Sequence, residues 1–142
     1  MTIAAALKWD KDIWIAADRQ TSWGSYTRSD HENNSKLNFY KNAIIASSGR
    51  SLFHNALAYC RCYRDMYNSK FEDTDEVFNF FFRFHKFLKD NYGLGNAANN
   101  NVSEMANGSF LVVTTTQIYE VACSRDITVY NNFTAIGSGK HI

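Results

Sequence analysis

The period of the apolar residues changes twice along this chain, and that order limits the folds open to it. Short strand-like runs come first. Residues 2–8 and Ile13–Ala17 flank a Trp9-Asp10-Lys11-Asp12 turn, and Leu37–Tyr40 and Ala43–Ala46 flank Lys41-Asn42. Between these pairs, Asp18 to Ser35 is polar and reads as a loop or an irregular strand pair. From Ser51 to Tyr67 the apolar residues take a helical period, at Phe53, Ala56, Leu57, Cys60, Tyr63 and Tyr67. A second helix opens at Asp73, which can cap it while Glu76 completes a capping box, and stops at Gly93 or Gly95. Asn96 to Gly108 is an Asn-rich loop, after which strand-like runs return at Ser109–Thr114, Gln117–Ala122 and Ile127–Tyr130. Strands, two helices, then strands predict an α+β fold built on antiparallel sheet, not an alternating βαβ chain. The first strands are nearly continuous apolar runs, as in strands covered on both faces.

Composition removes several function classes. The 142 residues suit one domain, spanning 1–142. Fifteen Lys plus Arg nearly balance fourteen Asp plus Glu, so there is no basic stripe for nucleic acid and no polybasic membrane patch. No apolar run approaches the roughly 20 residues that span a bilayer. Residues 1–8 lack the basic start of a secretory signal, so a cytoplasmic location with free cysteines is expected. His31, His54, His85 and His141 are scattered, with no H-E-x-x-H, no phosphate-cradling glycine loop and no G-x-S-x-G elbow, so neither metal nor cofactor is expected. Cys60 and Cys62 fall on a helical pattern with His54, where core packing accounts for them better than a cysteine–histidine pair. Several of the eleven phenylalanines crowd into Phe78 to Phe87. A helix apolar all round must be covered on more than one side, which points to a second chain.

The N-terminus carries chemistry. Methionine before a small residue is readily removed, which would leave Thr2 with a free amine. An N-terminal threonine holds both halves of a nucleophilic catalyst: its hydroxyl attacks and its own α-amine takes the proton. That amine titrates near 8 when unperturbed, so it can act as a base close to neutral pH. A nearby lysine would hold it neutral by like-charge repulsion, and a carboxylate would hold the lysine in place.

Starting at Thr2, the text T-I-A-A-A-L-K-W-D-K-D-I-W-I-A-A-D resembles the opening of proteasome β subunits and of HslV, the bacterial proteasome-like peptidase. In that family the N-terminal Thr begins a strand and a second strand ends in I-A-A/G-D sixteen residues later, the spacing from Thr2 to Asp18. Ser22 and Gly24 match the small hydroxyl residue and glycine that follow. Lys36 matches the lysine that opens a hairpin ending in I-A-G, here Ile45-Ala46-Ser47, and A-I-G-S-G stands verbatim at Ala135 to Gly139. The resemblance covers the entire chain.

It implies an Ntn-hydrolase (N-terminal-nucleophile hydrolase) fold, a four-layer sandwich of two antiparallel sheets flanked by helices. It also implies a threonine-type peptidase subunit hydrolysing peptide bonds of peptide or unfolded-protein substrates inside a homo-oligomeric ring, with an ATP-dependent unfoldase as possible partner. By resemblance Thr2 is nucleophile and general base, Lys36 tunes its amine, Asp18 pairs with Lys36, Ser138 supports the amine, and the N–H of Ser47 is the oxyanion donor. The pattern departs from the family at Gln20, where the family has Arg, and at the end of the chain. There the family continues into further helices and strands carrying an Asp and a Ser of the active-site network, so the domain is expected to be incomplete at its C-terminus, with part of one helical layer absent. The alternative is a non-catalytic structural subunit or degenerate remnant of the same fold.

Overall fold

β1 (Ala4–Trp9) and β2 (Asp12–Ala17) form the expected N-terminal hairpin, with Ala4 opposite Ala17 and Trp9 opposite Asp12. These contacts are seen in a computed structural model that describes residues 3–19, 21–23, 26–28, 36–93, 108–122 and 124–137. Asp10 makes the turn at φ 58°, a left-handed conformation that Asp tolerates better than most residues. In the polar stretch that follows, β3 (Thr21–Trp23) and β4 (Tyr26–Arg28) pair with each other, the irregular strand pair of the sequence reading.

A second sheet takes its strands in chain order and all antiparallel: β5 (Leu37–Phe39), β6 (Ile44–Ser48), β7 (Ser109–Val113), β8 (Ile118–Val121) and β9 (Ile127–Tyr130). β10 (Phe133–Ile136) then crosses to the first sheet and pairs with β1, giving the order β10-β1-β2. No strand was expected at β10. The run is only four residues long, and its pairing partner lies some 130 residues away in sequence.

The helical stretch 51–67 is two helices, not one: α1 (Ser51–Cys60) and α2 (Arg64–Tyr67). Between them the Cys62 and Tyr63 amides reach back three residues, to the carbonyls of Tyr59 and Cys60, which tightens and ends the first helix. Apolar spacing alone does not register this break, because Met66 resumes the buried side beyond it. α3 (Thr74–Tyr92) begins and ends as its sequence predicts. The Asp73 carboxylate accepts from the Glu76 amide at 2.9 Å, while the Glu76 carboxylate accepts from the Glu72 amide at 3.1 Å, one residue before the cap. Gly93 stops the helix at φ 67°, its amide donating to the Lys89 carbonyl.

The layers follow from the alternation along β6, β7 and β8. Ile45, Phe110, Val112, Tyr119 and Val121 belong to the cluster that receives α1 and α3, through Phe53, Leu57, Phe80, Phe81, Phe84 and Leu88. Ala46, Leu111, Val113 and Ile118 belong to a separate cluster with Ala4, Ala6 and Ile136 of the other sheet. The protein is therefore an α+β sandwich of two stacked antiparallel sheets, with helices outside the five-stranded one.

The phenylalanine-rich helix corrects one expectation. Phe81 and Phe84 have no exposed surface and pack on Phe110, with ring centroids 4.8 and 5.6 Å away. They fill this chain's own core, each contributing about 2–3 kcal/mol, and need no second chain to cover them. The exposed members are Phe78 and Phe82, which stack on each other with the Arg125 guanidinium over both rings at 5.5 and 5.2 Å.

Candidate active site

The β1–β2 ladder runs one step past its last strand pair. The Asp18 amide donates to the Ile3 carbonyl at 3.0 Å, so Asp18 sits across from Ile3, the neighbour in sequence of Thr2. Asp18 leaves the first sheet here and its carboxylate accepts a hydrogen bond from Lys36 Nζ, forming an ion pair. Lys36 immediately precedes β5 in the other sheet. Its side chain is 6% exposed against 24% for Asp18, so the ammonium is the buried member. A buried ammonium persists only beside a compensating charge, which is what Asp18 supplies.

The β5–β6 register brings in Ser47. Leu37 faces Ala46, so one further step sets Lys36 opposite Ser47. The Tyr40 amide donates to the Ala43 carbonyl at the closed end of this hairpin, which makes 40 and 43 a hydrogen-bonded pair. Ser47 is buried. Asp18, Lys36 and Ser47 thus converge where the ends of the two sheets meet. Thr2 and Ser138 lie outside the described residues.

His54, on α1, flanks this cluster. Burial lowers its pKa, and the Lys36 charge lowers it further. The Asn38 amide side chain, buried on β5, donates to the His54 carbonyl at 3.3 Å and ties helix to hairpin. The Cys60 thiol is fully buried and pushed up to about 12, first by burial and then by Cys62, so it is no nucleophile. Among the described residues no His, Cys, Asp and Glu cluster could hold a metal.

No family model matches the sequence, and no curated protein is similar to it. Solved structures are. Thiobacillus denitrificans BPH, solved alone and in complex with epoxomicin, shares 25% identity at a TM-score of 0.85, over 98% of this chain and 73% of that one. In structure the chain is similar to the proteasome-type Ntn hydrolases. Eukaryotic HslV from Trypanosoma brucei (18% identity, TM-score 0.59, 99% of this chain and 74% of that one) shares the fold. So does Anbu, the ancestral beta-subunit, from Yersinia bercovieri (12% identity, TM-score 0.66, 97% and 61%).

Against the proteasome-type pattern, Ser47 is the informative substitution. The family has Gly where this chain has Ser47, and Ser47 is not among the described non-Gly residues with positive φ. A side chain therefore fits without backbone strain and the N–H is kept. The left-handed position falls instead on Gly49, at φ 102°, where the chain turns out of β6 into α1. Sequence reasoning read Gly49 as the punctuation that ends the hairpin, gave His54 no part in this site, and missed the Ile3 carbonyl.

Proposed function

We propose that this chain is a threonine-type peptidase subunit of proteasome-like architecture. Thr2, exposed by removal of Met1, is its nucleophile. The observation that carries the reading is the buried Lys36–Asp18 pair, whose carboxylate residue hydrogen-bonds the carbonyl of Ile3, one residue from Thr2. In this reading the Thr2 hydroxyl attacks the scissile carbonyl and its proton passes to the Thr2 α-amine. The Lys36 ammonium disfavours protonation of that amine before attack, which keeps it basic. The oxyanion is stabilised by the Ser47 N–H. The amine then protonates the departing amine of the substrate, leaving an ester on Thr2. Water activated by the same amine hydrolyses that ester and restores the hydroxyl. Ser138 supports the amine.

Assembly belongs to the same proposal. An Anbu complex from Pseudomonas aeruginosa is described as a helical assembly. A homo-oligomer that encloses its sites, takes peptide or unfolded-protein substrates and works beside an ATP-dependent unfoldase fits the chemistry. No described helix is long and apolar enough to cross a membrane, and we assign the chain to the cytoplasm.

The competing reading is a non-catalytic subunit of the same fold. The two separate on one experiment. Native protein is tested for peptide hydrolysis and for an epoxomicin adduct, beside a version with an uncleaved extension before Thr2. An amide nitrogen cannot act as the base, so the extension should abolish turnover and adduct together. Undiminished turnover with the extension intact removes Thr2 from the mechanism.

A further inference from the structure

Two buried side chains, two residues apart, fasten the β5 side of the hairpin to α1, and the fold needs only one of them. The Asn38 amide donates to the His54 carbonyl at 3.3 Å, and the Tyr40 hydroxyl donates to the Leu57 carbonyl at 2.6 Å. The two acceptors differ. Leu57 is one of the last four residues of α1, whose carbonyls have no amide ahead of them in the helix. Tyr40 therefore satisfies a group that would otherwise be buried unpaired. His54 is the fourth residue of the same helix, and its carbonyl faces the Ala58 amide in the ordinary helical pattern. The Asn38 bond supplies nothing the helix lacks.

Nor does the strand ask for an amide at this position. Asn is a poor strand former, and Ile45, across the ladder from Asn38, belongs to the apolar cluster that receives α1. Burying an amide costs free energy that burying an aliphatic side chain does not. What the bond does reach is the site. β6 ends at Ser48 and α1 begins at Ser51, so the link Gly49-Arg50 joins the Ser47 strand to the helix. Lys36 lies two residues before Asn38, one step beyond the Leu37–Ala46 pair and opposite Ser47. Its charge acts on the His54 imidazole, so the first turns of α1 lie beside it.

We propose that Asn38 is a positioning residue for peptide hydrolysis. It fixes the start of α1, and through Gly49-Arg50 the Ser47 N–H, against the strand that presents Lys36. The inference rests on the peptidase reading above. A donor aimed at an oxyanion tolerates little displacement, and about 1 Å of misplacement can cost about 10²-fold in rate.

The test compares wild type with Asn38→Leu, Asn38→Ala and Tyr40→Phe in thermal melting, steady-state peptide hydrolysis and the rate of epoxomicin adduct formation. Asn38→Leu should melt at or above wild type yet lose about 10–100-fold in kcat with KM within about threefold, and adduct formation should slow in step. Asn38→Ala, which cannot overfill the site, should lose kcat to the same extent. Tyr40→Phe should do the reverse, melting lower while kcat of the folded protein stays within about twofold of wild type. An unchanged kcat in the Asn38 variants, an equal loss of kcat in Tyr40→Phe, or loss of folding in both Asn38 variants overturns the inference and leaves the peptidase reading standing. A wild type that neither cleaves peptides nor forms the adduct brings down the peptidase reading, and this inference with it.

Discussion

Removing the two members of the Lys36–Asp18 pair one at a time should have unequal effects, and the inequality follows from burial. Asp18→Asn keeps the shape of the side chain and takes away its charge. The Lys36 ammonium, 6% exposed, then loses this carboxylate in a place water scarcely reaches. Breaking a buried pair from this side costs about 3–5 kcal/mol. Lys36→Met takes away the ammonium and leaves a carboxylate that is 24% exposed and can turn toward water. Its cost should be smaller, about 1–2 kcal/mol. In the double variant no charge is stranded, and an apolar replacement for an ion pair is often nearly neutral, so stability should return to within about 1 kcal/mol of wild type. In melting temperature, at about 3–6 °C per kcal/mol for a chain this size, Asp18→Asn should fall by about 10–30 °C and the double variant should recover most of it.

Activity should not follow stability. If the Lys36 ammonium holds the Thr2 amine neutral, Lys36→Met and the double variant lose about 10²–10⁴ in peptide hydrolysis, and the double variant is as inactive as Lys36→Met although it melts near wild type. The assays are denaturant unfolding and single-turnover hydrolysis on the same preparations. Equal, additive losses of stability would refute the burial argument. Hydrolysis restored in the double variant would refute the electrostatic role of Lys36.

His85 is buried against Phe81, Phe84 and Phe110, and burial, followed by the Arg125 charge, lowers its pKa from 6.5 to about 4. Because the unfolded chain binds that proton more readily, stability should be complete above pH 6.5 and fall as pH drops from there to about 4, by about 3 kcal/mol; His85→Leu should flatten that part of the profile measured by urea unfolding. Phe81→Glu should unfold the chain, because it puts an unpaired charge among Phe80, Phe84 and Phe110, whereas Phe82→Glu, at a half-exposed position, should shift unfolding by about 1 kcal/mol or less; equal melting points would refute the assignment of the helix faces. Gly49→Ala forces a side chain into a left-handed position and should cost about 1–2 kcal/mol, seen as a lower denaturant midpoint with an unchanged slope.

What was legible in the sequence was whatever rests on local period. The Trp9–Asp12 turn, the Lys41-Asn42 turn and the Asp73 and Gly93 boundaries of α3 each follow from residues a few positions apart. What was not legible depends on distant partners. β10 exists because β1, at the other end of the chain, offers it an open edge. The Phe78–Phe87 run shows that apolar content does not report which side is covered. Phe81 and Phe84 face the sheet, while Phe78 and Phe82 are held on the surface by Arg125. The site divides in the same way. Asp18, Lys36 and Ser47 were named through a family pattern, not through any spacing that would bring 18, 36 and 47 together. Their convergence is a matter of register: Asp18 one step beyond β2, and Lys36 and Ser47 one step beyond β5 and its partner stretch of β6.

The register argument also explains why such a site belongs at the meeting of two sheets. Asp18 is held by one sheet, Lys36 and Ser47 by the other, and the residues between those sheets are small at the critical positions: Ala4, Ala6 and Ala46 are essentially without exposed surface. Alanine there lets the backbones approach closely enough for a carboxylate from one sheet to reach an ammonium from the other. At the opposite end of the same strands no charge pair joins the sheets among the described residues. They open into a cavity of about 770 Å³ whose walls include Lys11, Trp14, Tyr40, Lys41 and Phe71. A charge pair thus ties the sheets at the end that bears Ile3, Asp18 and Lys36, and the cavity lies at the other. The geometry that places the ammonium near the start of the chain depends on core alanines as much as on the two charged residues it joins.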